Sequence, residues 1–225
     1  MATSNTKNCI LCNKSDARSC TRCRSIHYCS KACQKKDWPI HRHLCSTFAS
    51  FDPPEQSTDH QRIKAIFFPV DETKPQMVWL PWNWRMFEDT RCQFPDPYPF
   101  LGLDESRRML SRVDTIFQNK VLGRELSDLI YIHYIDNFLN DGSKVNKSIE
   151  TITGFYGTSQ HWRGPMIAYG VVGQHGVHDI VCRDIDLGDF RHIVDFLQMY
   201  CGRPPEEAQL KMFHLTTEQL FALGR

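Results

Sequence analysis

Tyr28-Cys29-Ser30-Lys31-Ala32-Cys33-Gln34-Lys35-Lys36-Asp37-Trp38-Pro39-Ile40-His41-Arg42-His43-Leu44-Cys45 is the stretch on which the reading of this chain turns. It contains two ligand pairs, Cys29-x3-Cys33 and His41-x3-Cys45, and two more precede it, Cys9-x2-Cys12 and Cys20-x2-Cys23. A C-x2-C knuckle turns the backbone tightly enough for two thiolates to grip one ion, and an x3 spacing sets two ligands one helical turn apart. Pro39 suits a first helical turn, so residues 39–45 are expected to present His41 and Cys45 together. Eight ligands complete two tetrahedral sites, one of four cysteines and one of three cysteines with a histidine. Neither leaves a position for water, so both ions are structural. The segment has few large apolar residues, and metal must supply much of its folding free energy, on the order of 10 kcal/mol per site.

The remaining cysteines sharpen that reading. Seven of the ten lie within residues 9–45, leaving only Cys92, Cys182 and Cys201 beyond. Dense, paired spacing points to metal rather than to a disulfide framework. The first eight residues are polar and support no secretory signal, and no apolar run approaches the roughly 20 residues that span a bilayer. We therefore expect a reducing compartment, the nucleus or the cytoplasm, and no membrane partner.

The stretch from Tyr28 to Cys45 resembles the second half of a MYND finger, whose YC-x3-CQ-x3-W-x2-H-x3-C signature it matches at each position. Spacing alone allows either sequential or interleaved pairing. The resemblance implies the interleaved one, with Cys9, Cys12, Cys29 and Cys33 on one zinc and Cys20, Cys23, His41 and Cys45 on the other. His27 and His43 fall outside the pattern and are expected to face solvent. The resemblance also implies a shallow groove for proline-containing peptides, at Thr21, Gln34 and Trp38. An exposed indole is a platform for proline, and Gln34 can hydrogen-bond an extended backbone.

The net charge of +1 hides an asymmetry. Residues 1–45 hold nine of the 27 basic residues and two of the 26 acidic ones, Asp16 and Asp37, formally +7. Seven thiolates and two zinc ions bring the loaded finger to about +4. The basic residues form no continuous run and no helix offers a base-reading face, so a protein or peptide partner is favoured over nucleic acid.

Residues 46–60 are polar, with Pro53-Pro54, and read as a linker. Residues 61–225 read as a mixed α+β domain. Runs at 63–70 and 77–82 are strand-like, separated by a loop at 71–76. Residues 92–103, with Pro95, Pro97 and Pro99, suggest an irregular loop. Asp104 is placed to cap a helix through Asn119, with Met109, Val113, Ile116 and Phe117 on one face. Strands are expected at 128–139, after a turn at Asp141-Gly142 at 145–153, and at 166–172 and 178–184. A helix at 189–201 ends at Gly202, and residues 205–222 have weaker helical character.

This domain offers little chemistry to the eye. His175-x2-His178-x3-Cys182 does not keep one face in a strand, and the residues 161–165 pack a loop or bind an anion. Gly154 and Gly157 make no phosphate loop, and Cys182 has no evident basic partner. A SET-type methyltransferase would need SET sequence ahead of the finger, where eight residues stand, and Asn-His-Ser-Cys and Gly-Glu-Glu-Leu segments, which are missing. The layout resembles small fungal MYND proteins, which implies no activity. The expectation is therefore a zinc-binding adaptor or transcriptional co-regulator rather than an enzyme. An unidentified active site in residues 61–225, or weak nucleic-acid binding through the finger, are the alternatives.

Overall fold

The computed structural model describes residues 7–51, 61–87, 90–136, 140–155, 161–173 and 181–202. The expected helical tail at 205–222, most of the linker, and His175 and His178 lie outside them.

The finger begins with two knuckles built alike. In the first, Asn13 N donates to Cys9 O (2.9 Å); in the second, Arg24 N donates to Cys20 O (2.9 Å). The residue closing each turn takes a left-handed backbone, Asn13 at φ 59° and Arg24 at φ 55°. Asn tolerates this conformation; for Arg24 it costs roughly 1 kcal/mol that the closed knuckle imposes. A two-stranded ribbon follows, β1 (Arg18–Ser19) and β2 (His27–Tyr28), then helix α1 (Lys31–His41). Ser30 caps that helix, its side chain accepting from Cys33 N at 3.2 Å. Pro39 sits inside α1 instead of opening a new turn. The ligands Cys33 and His41 lie at opposite ends of the helix and hold it continuous through the proline. A second short helix, α2 (Cys45–Ala49), occupies the start of the segment read as linker.

The rest is a seven-stranded antiparallel sheet with helices on one face. Its strands are β3 (Gln61–Phe68), β4 (Gln76–Phe87), β5 (Thr90–Pro95), β6 (Ser111–Asn119), β7 (Arg124–Ile135), β8 (Met166–Val172) and β9 (Val181–Arg183). The order is β5-β4-β3-β8-β7-β6, and β9 pairs with β8 beyond the reach of β3. Helices α3 (Lys147–Thr153) and α4 (Leu187–Cys201) complete the domain. This is the expected mixture of strand and helix behind a finger.

Three local expectations need correction. Asp104 does cap, accepting from Arg107 N, but what it starts is a 3-10 turn at Glu105–Leu110, after which the chain is strand β6. The helical spacing misled because Met109, Val113 and Phe117 are exposed and only Ile116 is buried. β-branched Val113, Thr115 and Ile116 instead pair in register with His133, Tyr131 and Ile130 of β7. The expected strand at 145–153 is helix α3, with Asn146 capping Ile149 N at 3.0 Å and Gly154 closing it in the left-handed region. In residues 92–103 the first four belong to β5, and the irregular part reduces to a 3-10 turn at Tyr98–Leu101.

The sheet divides the core. On one face Ile63, Ala65, Leu80, Leu129, Ile167, Tyr169 and Val171 are covered by Leu101 and Leu103. On the other, Ile66, Phe68, Ile130, Ile132 and Met166 pack with Ile149 and Ile152 of α3 and with Phe190, Ile193, Val194 and Leu197 of α4. The same cluster takes in Ile10, Ile26, Tyr28, Ile40 and Leu44 of the finger. A segment too small for a core of its own thus shares that of the sheet domain, at about 2 kcal/mol per large apolar side chain buried.

Candidate metal centre and peptide face

The ligand atoms gather into two groups, Cys9, Cys12, Cys29 and Cys33 in one and Cys20, Cys23, His41 and Cys45 in the other, each within 4.8 Å of one another. The helix and the ribbon force this interleaving. α1 begins beside the first knuckle with Cys33 and ends beside the second with His41. None of the ten cysteines is disulfide-bonded. Sulfur separations are 3.4 Å (Cys12 to Cys29), 3.6 Å (Cys29 to Cys33) and 3.9 Å (Cys20 to Cys45). A tetrahedron with zinc–sulfur bonds of about 2.3 Å has edges of about 3.8 Å, so the donors are spaced for the ion and much too far apart for disulfides. Cys23 Sγ lies 3.3 Å from His41 Nε2, which makes Nε2 the ligating nitrogen. The donor sets, four sulfurs and three sulfurs with one nitrogen, fit two structural zinc ions, each with its coordination shell closed.

The two centres differ in setting. In the four-cysteine group Cys9 is buried, Cys33 half-buried, and Cys12 and Cys29 exposed; all four ligands of the other group are buried. The buried centre has an outer shell. Tyr28 Oη stands 2.9 Å from His41 Nδ1 and donates to Asp37 Oδ2 at 2.6 Å. With Nε2 on the metal, Nδ1 carries the proton and donates to the phenol oxygen, so every hydrogen in the chain has an acceptor. Burial and the Asp37 carboxylate hold the Tyr28 phenol well above its ordinary range.

Thr21 is exposed, Gln34 half-buried and Trp38 44% exposed. The indole meets His41 edge-on, ring centroids 5.6 Å apart, so one edge covers the metal ligand while the rest of the ring stays open. The neighbouring α1 residues Asp37, Ile40 and His41 are buried. Helix α4 of the sheet domain meets α1 at Asp37, through Arg191, and leaves Trp38 exposed. His27 and His43 are half-buried rather than solvent-facing, and burial pulls both imidazoles below the usual range.

Sequence reasoning missed the seam between finger and domain. Leu187 N donates to Ser25 Oγ at 2.8 Å, Arg191 Nη1 donates to Asp37 Oδ1 at 3.0 Å, and Arg124 donates to Ile10 O and to Asn13 Oδ1. Phe51 stacks on Trp79, and Lys64 lies over the Phe48 and Trp79 rings. Only the odd buried-type pattern around Arg191, a cation within an apolar helix, hints at this in the sequence. An open polar cleft of about 730 Å³ runs along the seam, but its Arg183 is engaged by Asp128 and Asp189.

Elsewhere the singled-out residues are structural. Cys182 donates its amide to Gln93 Oε1 (2.6 Å), and burial pushes its thiol up to about 12, the reverse of nucleophile activation. His161 pairs with Glu150 at 3.0 Å, and Trp162 packs against Tyr134 and Tyr200. No helix among the described residues is long and apolar enough to cross a membrane.

Comparison with known proteins agrees with the geometry. The MYND finger family model matches residues 9–45. The ubiquitin carboxyl-terminal hydrolase 19 of Arabidopsis thaliana is 38% identical over 66 residues, 29% of this chain and 10% of its own. The SET domain and MYND-type zinc finger protein 6 of Schizosaccharomyces pombe is 45% identical over 42 residues, 18% of this chain and 9% of its own. A histone-lysine N-methyltransferase of Mus musculus is 24% identical over 147 residues, 65% of this chain and 29% of its own. The chain thus spans less than a third of the length of these relatives. No solved structure matches. The coordination geometry and the family match meet on one segment: residues 9–45 of this protein are a MYND-type zinc finger.

Proposed function

We propose that the finger is a recognition module that docks proline-containing peptides of a protein partner, and that the chain acts as an adaptor or transcriptional co-regulator in the nucleus, the cytoplasm or both. The supporting observation is that Trp38 stays 44% exposed although α4 docks on the same helix at Asp37. An open indole beside Gln34 and Thr21 is a surface on which a proline ring and an extended backbone can both be held. The zinc ions supply rigidity: with α1 pinned at both ends, the peptide face is formed before the ligand arrives, which lowers the ordering cost of binding.

The test is fluorescence anisotropy with labelled proline-containing peptides and the full chain. Trp38→Ala is expected to abolish binding with two zinc ions retained; zinc loss in that variant would make the indole a structural cover and remove the groove. A single-stranded oligonucleotide serves as the polyanion control, and tighter binding to it than to any peptide would favour the nucleic-acid reading.

A second reading rests on the 147-residue similarity to the mouse methyltransferase. If residues 61–225 carry such an activity, the chain should bind S-adenosylmethionine in a calorimetric titration. Absence of heat would leave the adaptor role.

A further inference from the structure

The outer shell of the buried zinc centre does not end within the finger. Asp37 is fully buried, its Oδ2 accepting from Tyr28 and its Oδ1 accepting from Arg191 Nη1 on α4, at 3.0 Å. Arg191 is held in turn by a fork: Nε to Asp195 Oδ2 at 3.0 Å and Nη2 to Asp195 Oδ1 at 2.7 Å. Asp195, itself 1% exposed, accepts from Asn119 Nδ2 at 2.7 Å, and Asn119 Oδ1 accepts from Leu122 N at 2.8 Å. The line His41, Tyr28, Asp37, Arg191, Asp195, Asn119 thus runs unbroken from a zinc ligand, through helix α4, to the turn after β6.

We propose that Arg191, some 150 residues along the chain from the finger, is a positioning residue of the three-cysteine, one-histidine zinc site, so that metal affinity there is set by the docking of α4. The physical step is orientation. Asp37 has two carboxylate oxygens; Arg191 takes one and thereby aims the other at Tyr28, which fixes the phenol that holds His41 Nδ1. Partners that orient a ligating histidine are worth about 10–100-fold in metal affinity. The four-cysteine centre has no such line to α4 among the described residues: Cys12, Cys29 and Cys33 are at least partly exposed. The first knuckle meets the sheet domain through Arg124 of β7, which donates to Ile10 O and Asn13 Oδ1, whereas the line from α4 reaches the ligand His41 itself. The linkage works both ways, since binding energy gained by docking α4 must also appear as helix stability when zinc is present.

The experiment uses the full chain with zinc replaced by cobalt, because four-sulfur and three-sulfur–one-nitrogen sites give separate visible bands. Competition with a chelator then reports each site by its own band. Arg191→Met is expected to weaken the three-sulfur–one-nitrogen site about 10–100-fold and to leave the four-sulfur site unchanged. Arg191→Lys, which keeps the charge and loses the fork, should fall between the two. Tyr28→Phe cuts the same line without touching α4 and should show the same selective loss; it decides the matter if Arg191→Met does not fold. Equal weakening of both sites would mean that Arg191 acts only through general stability. Unchanged affinity at both sites in folded Arg191→Met or Tyr28→Phe would also overturn the proposal.

Discussion

The two zinc centres have nearly the same donors and opposite surroundings. One sits at the rim of the molecule, with Cys12 and Cys29 exposed; the other is enclosed by the finger, α4 and the seam, with all four ligands buried. Equal coordination chemistry does not make equal structural roles. The rim centre ties the first knuckle to the start of α1, and solvent reaches two of its ligands, so its loss should loosen that knuckle and the first turn of α1 while the sheet domain keeps its fold. The enclosed centre stands inside the cluster shared by Tyr28, Ile40, Leu44, Phe190 and Leu197, so its loss opens the common core.

The largest expected effect breaks the comparison most directly. Cys23→Ser should remove the enclosed zinc, a contribution on the order of 10 kcal/mol, and unfold the sheet domain with the finger. Cys12→Ser should release the rim zinc yet leave a cooperative melt of the sheet domain by circular dichroism. The same collapse in both variants would erase the distinction between the centres.

Phe190→Ala tests whether the core is shared. Phe190 is fully buried on α4, and truncation should cost about 3–5 kcal/mol in urea unfolding. The sharper outcome is that this change in the sheet domain also speeds zinc release from the finger. Unaltered release would mean two separately stable regions.

Acid sensitivity separates the far face of the sheet from the metal. His133 lies there, its Nε2 3.0 Å from Tyr169 Oη, and burial pulls its imidazole down to about 4. The unfolded chain therefore binds a proton that the folded chain refuses between about pH 6.5 and 4. Stability contributed by neutral His133 is intact above pH 6.5 and is lost as the pH falls through that window, by about 3 kcal/mol at most. His133→Gln should flatten this part of the slope in urea midpoints while leaving zinc release, and its own pH dependence, as they were. An unchanged slope would move the acid sensitivity to His192 of α4, which burial also pulls down to about 4, or to the finger.

The smallest stability effect belongs to Trp38→Ala, about 1 kcal/mol for a side chain that is 44% exposed, against complete loss of peptide binding.

What the sequence made legible followed from local rules. Ligand spacing is local, so both centres could be read from Cys9 to Cys45; the division into two sets came from the family resemblance, because spacing allows both pairings. The helix expected at 189–201 was legible because its apolar period is long and Gly202 marks its end; it starts two residues earlier, at Leu187, under an Asp186 cap. Strand β6 was not, since Met109, Val113, Ile116 and Phe117 happen to fall at helical intervals while the ladder with β7 decides their conformation. Helix α3 was hidden by β-branched Ile149, Thr151, Ile152 and Thr153, a preference overridden by the Asn146 cap and by packing. The seam lay beyond reach for a different reason: Arg191 within an apolar helix hints at a buried partner, but that the partner is Asp37 is decided only by the tertiary fold.

Stepwise zinc removal from the intact chain, with metal content by elemental analysis and folding by circular dichroism at each step, tests the central claim. Two zinc ions per chain are predicted, the first leaving under mild chelation with the sheet domain still folded and the second leaving only as the whole chain unfolds. A single zinc per chain, or both ions lost with the sheet domain unperturbed, would contradict it.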